Sequence, residues 1–148
     1  MSARSKARAR AVAVLFEADA RGVPLGEVLE ERIQHPGAET PLPEYARTVL
    51  TGVAAHYVEL NNMIETHASR QLSRMASVDR AIARLGVWEI MYATDVPTAV
   101  AVSEAASLAE RLSTEESAGY VSGLLGGIAT AVATRAVSEQ DPSASAVE

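Results

Sequence analysis

An all-α fold is what this sequence predicts: a compact helical domain of about seven helices. Three observations carry that expectation. Apolar residues recur at three- and four-residue steps along most of the chain. No segment alternates convincingly as a half-buried strand would. Gly22, Pro24, the His35-Pro36-Gly37 cluster and Pro97 punctuate the periodic segments as turn and breaker residues do.

The first helix is expected over about 5–20. Gly22 follows as a C-cap signal and Pro24 opens the next segment. That second helix, about 25–33, ends at His35-Pro36-Gly37, and residues 34–43, with three prolines, form a loop. One long helix is expected over 44–67, on the spacing of Val49, Leu50, Val53, Ala54, Tyr57, Leu60 and Ile64. A short helical piece over 69–74 leads to the next helix.

Within 78–93 only Asp79, Arg80, Arg84 and Glu89 are charged. A helix apolar around most of its circumference belongs at the centre of a core. Ser77 offers an N-cap oxygen. Glu89, and Glu104 in the following helix, read as buried partners of Arg84 or Arg80 in a structural ion pair. Pro97 starts a helix over about 98–112. Ser113-Thr114-Glu115-Glu116 then fits a capping box for a final helix to about 135. The domain is expected to span 1–137, with 138–148 a disordered C-terminal tail.

The final helix contains Gly119, Gly123, Gly126 and Gly127, although each interior glycine costs about 1 kcal/mol against alanine. Gly119, Gly123 and Gly126 share one face. Two readings follow: close helix–helix packing, or a surface where a ligand approaches the backbone. Tyr120 lies beside that face.

Charge is unevenly distributed. The net charge is −6, yet Arg4, Lys6, Arg8 and Arg10 precede the first acid, Glu17, leaving −10 for the rest. Cations at a helix start oppose the macrodipole, and a polyanion such as a nucleic-acid backbone would benefit from them. The alternative is a solvated basic tail. Twelve of the thirteen cations are arginine, a bias that a GC-rich genome would also produce.

Other classes find no support. Cysteine is absent, which removes disulfides and thiolate zinc sites. His35, His56 and His67 lack metal-pair spacing, so neither metal nor cofactor is expected. No P-loop, Gly-x-Ser-x-Gly or dinucleotide fingerprint occurs, and Gly123-Leu124-Leu125-Gly126-Gly127 follows no strand. No catalytic constellation is present. No run of ~18 apolar residues suggests a membrane span, and no secretory signal is read at the N-terminus. The expected location is cytoplasmic.

Several segments together resemble the transcription antitermination factor NusB family. They are Arg4-x-Lys6-Ala7-Arg8 with Leu15-Phe16-Glu17, and Val78-Asp79-Arg80-Ala81-Ile82-Ala83-Arg84-Leu85-Gly86-Val87-Trp88-Glu89 with Asp95-Val96-Pro97. Ser103-Glu104-Ala105 with Leu108-Ala109-Glu110 follows, then Glu116-Ser117-x-x-Tyr120-Val121-Ser122-Gly123-Leu124-Leu125-Gly126. The resemblance covers roughly residues 4–130. It implies two small packed helical bundles, no enzyme activity, and binding of boxA-type single-stranded leader RNA of ribosomal RNA operons. It also implies joint action with the NusE ribosomal protein in an RNA polymerase antitermination complex.

Carried over by residue, the resemblance assigns RNA binding to Arg4, Lys6, Arg8, Arg10, Phe16, Glu116, Tyr120 and Ser122, and partner binding to Asp79. Ser122 stands where the family usually has asparagine, and Ser5 interrupts the basic run. Specific RNA binders stack unpaired bases on aromatics and hold phosphates with arginine. Phe16 and Tyr120 fit that role, with core packing as the alternative for each. Two other readings stand beside this one. The chain could be an accessory module for an RNA-modifying methyltransferase, or a protein-interaction module whose homodimer covers the basic surface.

Overall fold

The computed structural model describes residues 2–140. Seven α-helices and one 3-10 turn make up its regular structure: α1 Ala3–Arg21, α2 Leu25–Gln34, α3 Glu44–Ala55, α4 Tyr57–His67, the turn Leu72–Arg74, α5 Ser77–Tyr92, α6 Thr98–Leu112 and α7 Glu115–Gln140. The all-α expectation holds, with no strand among the described residues. Helices α1, α2 and α3 pack on one another, and α4, α6 and α7 gather on the other side. Between them lies α5, touching α1, α3, α4, α6 and α7.

Helix α5 is central for the reason its sequence suggests. Residues 81–89 are buried without interruption, and Ile82, Leu85 and Val87 are among the least accessible of the core. Several local expectations also hold. Gly22 ends α1 in the left-handed region at φ 65°, its N–H donating to the carbonyls of Ala18 and Asp19. That conformation is open to glycine at little cost.

Four local readings need correction. The stretch 44–67 is two helices, not one, broken at His56 (φ −117°, ψ 22°). The break turns the chain from α3, packed on α1 and α2, to α4, packed on α5 and α7. No proline or left-handed glycine marks it; tertiary packing imposes it. Ser77 is not the cap of α5: its hydroxyl instead accepts a hydrogen bond from Arg80 at 3.0 Å. The cap of α7 is Thr114, whose Oγ1 accepts from the Ser117 N–H at 3.0 Å, so the box predicted from Ser113 is shifted by one residue. Finally, α7 runs on to Gln140, so the expected tail does not start at 138. Its remainder, 141–148, lies outside the described residues.

Residues Glu115–Glu139 of α7 have the length and mean hydropathy, 1.3, of a membrane span. The helix nevertheless sends Val121, Leu124, Leu125 and Ile128 into the shared core, against α5 and α6.

Candidate nucleic-acid interface

The four N-terminal cations lie inside α1, not in an arm before it. The Ser2 side chain accepts from the Ser5 N–H at 3.0 Å and starts the helix two residues earlier than expected. The first turn carries no acid. The local dipole therefore adds to the positive potential of Arg4 and Lys6.

Arg8 does not belong to that surface. It is 2% exposed, and its Nε donates to both carboxylate oxygens of Glu89, at 2.9 and 3.1 Å. Glu89 is 1% exposed and also accepts from the Tyr45 hydroxyl. Burial and this hydrogen bond push the Tyr45 phenol well above its ordinary range. Glu104 lies 3.7 Å from Arg8 and accepts from the Ser5 hydroxyl at 2.9 Å. The expected partners of Glu89 and Glu104, Arg84 and Arg80, are occupied elsewhere. Arg80 binds Asp19 through Nε at 2.9 Å and Nη2 at 2.8 Å, and Arg84 stands 3.7 Å from the same carboxylate. The sequence held a signal for Arg8: it shares a helical face with Ala11, Val12 and Leu15, all core residues.

What remains on the outside of α1 is Arg4, Lys6, Arg10 and Phe16. Arg4 donates to Asp95 at 2.6 Å, half-exposed, and lies 4.3 Å from the centre of the Tyr45 ring. The Asp95 bond holds the Arg4 guanidinium above its ordinary pKa and the Asp95 carboxyl below its own. Lys6 is exposed and makes no ion pair with any described residue. Arg10 donates to the Thr40 hydroxyl and carbonyl at 2.9 and 3.0 Å. Phe16 is 41% exposed, so the core-packing alternative for it is not what the structure holds. Lys6, Arg10, Ala13 and Phe16 follow one another at three- and four-residue steps, a single outward stripe of about 15 Å at 1.5 Å per residue.

A second group lies on α7, whose first turn meets the start of α5. The Tyr120 ring is half-buried, with the Arg70 guanidinium 4.7 Å from its centre. The Tyr120 hydroxyl is buried and makes no hydrogen bond. Arg70 and Arg74 line a shallow pocket with Ser69 and Gln71. Sequence reasoning passed over both arginines, since nothing in their spacing places them beside Tyr120. Glu116 is exposed in the first turn of α7, where the dipole favours it. Ser122 faces away from Tyr120, into a groove between α6 and α7 lined by Thr98, Val102, Ala106 and Ala118.

Asp79 also needs correction. It is 3% exposed, and its Oδ2 accepts from the Ser117 hydroxyl at 3.0 Å while Oδ1 has no partner. It ties the start of α5 to that of α7 and is not presented to a partner. The RNA-binding residues read from sequence therefore fall into two groups, one along α1 and one on α7.

The glycines divide sharply. A Cβ on Gly119, Gly123, Gly126 or Gly127 would meet nothing within 4 Å. Close helix packing does not account for them. It does account for two others: a Cβ on Gly52 would lie 2.0 Å from the Trp88 Nε1, and on Gly86 2.5 Å from Leu125 Cδ1.

Comparison with known proteins gives a consistent result. The NusB family model matches residues 5–130. A transcription antitermination protein NusB of Kineococcus radiotolerans is 49% identical over 130 residues, covering 87% of this chain and 94% of the relative. That of Beutenbergia cavernae is 47% identical, covering 85% and 88%. Among solved structures, Thermotoga maritima NusB matches with TM-score 0.75 at 28% identity, covering 88% of this chain and 92% of that one. A crystal structure of antitermination factors NusB and NusE with double-stranded RNA matches with TM-score 0.75 at 27% identity, covering 86% and 96%.

Proposed function

The chain belongs to the NusB family, and from that premise we propose that it is a cytoplasmic, non-enzymatic, RNA-binding transcription antitermination factor. It binds boxA-type single-stranded leader RNA of ribosomal RNA operons together with a NusE-type ribosomal protein, and delivers both to RNA polymerase. The observation that carries this reading is the outward stripe of α1. Cations and one bare aromatic are presented on a helix fixed from behind by the buried Arg8–Glu89 pair. Arg4 and Lys6 contact phosphates, Arg10 follows the backbone, and Phe16 stacks on a base, an interaction worth about 1–3 kcal/mol. Tyr120, with Arg70 and Arg74, offers a second contact to the same strand.

The NusE-type partner sits on the groove between α6 and α7 and the open glycine face beside it. That surface carries Glu110, Glu115 and Glu116, suited to a basic ribosomal protein. Ser122 lies in this groove and contributes to the partner contact, not to RNA.

Salt dependence tests the RNA reading. Each phosphate neutralised on a single strand contributes about −0.7 to the slope of log affinity against log salt. Replacing Arg4 and Lys6 with alanine flattens that slope by about 1.4 and weakens boxA-like and scrambled strands alike. Arg8→Ala is the wrong probe, because it unfolds a core pair. An unchanged slope in the Arg4/Lys6 double variant removes α1 from the interface. A duplex bound as tightly as the single strand overturns the single-strand preference.

A further inference from the structure

Tyr120 does not stand open in the unbound protein. Its ring is half-buried and its hydroxyl wholly so, without a hydrogen-bond partner, which sets the ring tip-inward. The Arg70 guanidinium lies 4.7 Å from the ring centre, within cation–π range. Arg70 is exposed and makes no hydrogen bond or ion pair with any described residue. The ring face holds it alone.

The backbone beside Arg70 is fixed. The 3-10 turn Leu72–Arg74 follows it, with Leu72 buried, and then Met75, also buried. Arg80 Nη1 donates to the carbonyls of Leu72 and Met75 at 3.2 and 2.7 Å. A rearrangement of Arg70 is therefore a change of side-chain rotamer, not of loop. The side chain also has somewhere to go. Ser69, Gln71 and Arg74 line a shallow pocket with it, and no carboxylate does. Arg74 is exposed and likewise pairs with no described residue. Two guanidiniums without a counter-charge suit a phosphate, which arginine holds as a planar fork.

Relative strength sets the direction of exchange. An exposed cation–π contact is worth less than a base stacked on an aromatic ring. A duplex offers phosphates but keeps its bases paired and stacked, so it has nothing to put in place of the guanidinium.

We propose that Arg70 is an exchangeable cover on Tyr120 and makes that contact selective for unpaired bases. An unpaired base takes the ring, and the displaced guanidinium joins Arg74 on the adjoining phosphate. A paired strand leaves Arg70 where it is. This rests on the RNA-binding reading above.

The test is arginine side-chain NMR of the full chain, titrated with a boxA-like single strand and with the same strand annealed to its complement. In the free protein the Arg70 Hδ signals are expected upfield of the other arginines, under the Tyr120 ring current. The single strand returns them to the ordinary arginine range, and the duplex leaves them upfield. Arg70→Met flattens the single-strand salt slope by about 0.7, the share of one phosphate, and leaves the duplex slope unchanged. Arg70→Lys keeps the charge and the slope. A residue that only propped the ring would change neither slope. Single strand bound with Arg70 still upfield, or an unchanged slope in Arg70→Met, overturns the exchange while the RNA reading stands. Release of Arg70 by the duplex overturns the selectivity. No binding of either form fails the RNA reading itself, and the inference with it.

Discussion

Helices α5 and α7 look alike in sequence, both rich in small and apolar residues, yet they occupy opposite environments. α5 is buried on every side, and its charged residues Asp79, Arg84 and Glu89 each find a partner inside. α7 buries one stripe, Val121, Leu124, Leu125 and Ile128, and leaves a glycine face open. Hydrophobicity does not separate the two; neighbours do. On α5 a glycine exists because Leu125 presses against it, and its removal is a packing problem. On α7 a Cβ at any of the four glycines would meet nothing within 4 Å among the described residues.

The largest effect that would sharpen this contrast lies in the buried charges of α5. Glu89→Ala leaves Arg8 without its main counter-charge and the Tyr45 hydroxyl without an acceptor. Denaturant unfolding should show a loss of about 3–5 kcal/mol, as for broken buried pairs generally. The double variant Arg8→Met, Glu89→Leu should recover most of that loss, since apolar replacements of buried pairs are often neutral or better. A double variant as unstable as Glu89→Ala would show that the pair itself stabilises the fold.

The glycines come next, with opposite signs. Gly52→Ala drives a methyl into the Trp88 indole and should cost about 1–3 kcal/mol. Gly123→Ala should stabilise α7 by up to about 1 kcal/mol, because it enters open space in a helix. A destabilising Gly123→Ala would mean that the open face packs on something in the isolated protein and would break the comparison.

The smallest expected effect is an acid limb at the C-terminal end of α1. Glu17 accepts from Arg32 at 2.8 and 2.9 Å and from Arg21 at 2.8 Å, and these bonds hold its carboxyl down to about 2 from 4.5. A native pKa below the unfolded one contributes stability above the unfolded value, lost as pH falls through the native one. Stability should therefore decline between about pH 4.5 and pH 2, and Glu17→Gln should flatten that part of the profile. An identical acid profile in the variant would assign the decline to other carboxylates.

Most of the helical framework was legible because periodicity and caps are local. Gly22 as a left-handed cap and the start of α6 after Pro97 needed no tertiary information. The break at His56 did: the apolar spacing of 44–67 runs through it unbroken, and the two halves simply serve different neighbours. The site was legible in kind but not in placement. That α5 needed buried counter-ions followed from its composition, yet Arg8 looked like one cation in a basic run. Only its shared face with Val12 and Leu15 marked it as internal. Asp79 likewise looked like a surface acid until Ser117 covered it.

The buried anchor at Arg8 has a thermodynamic consequence for α1. A basic segment that folds only on its ligand loses conformational entropy at that moment. Here the ordering is completed during folding, because Glu89 and Tyr45 fix the rotational phase of the helix and so the heading of Arg4, Lys6 and Phe16. Association then orders side chains but no backbone. Far-ultraviolet circular dichroism of the protein stays constant through an RNA titration, and the heat-capacity change reflects only the apolar area that Phe16 and Tyr120 give up to the bases.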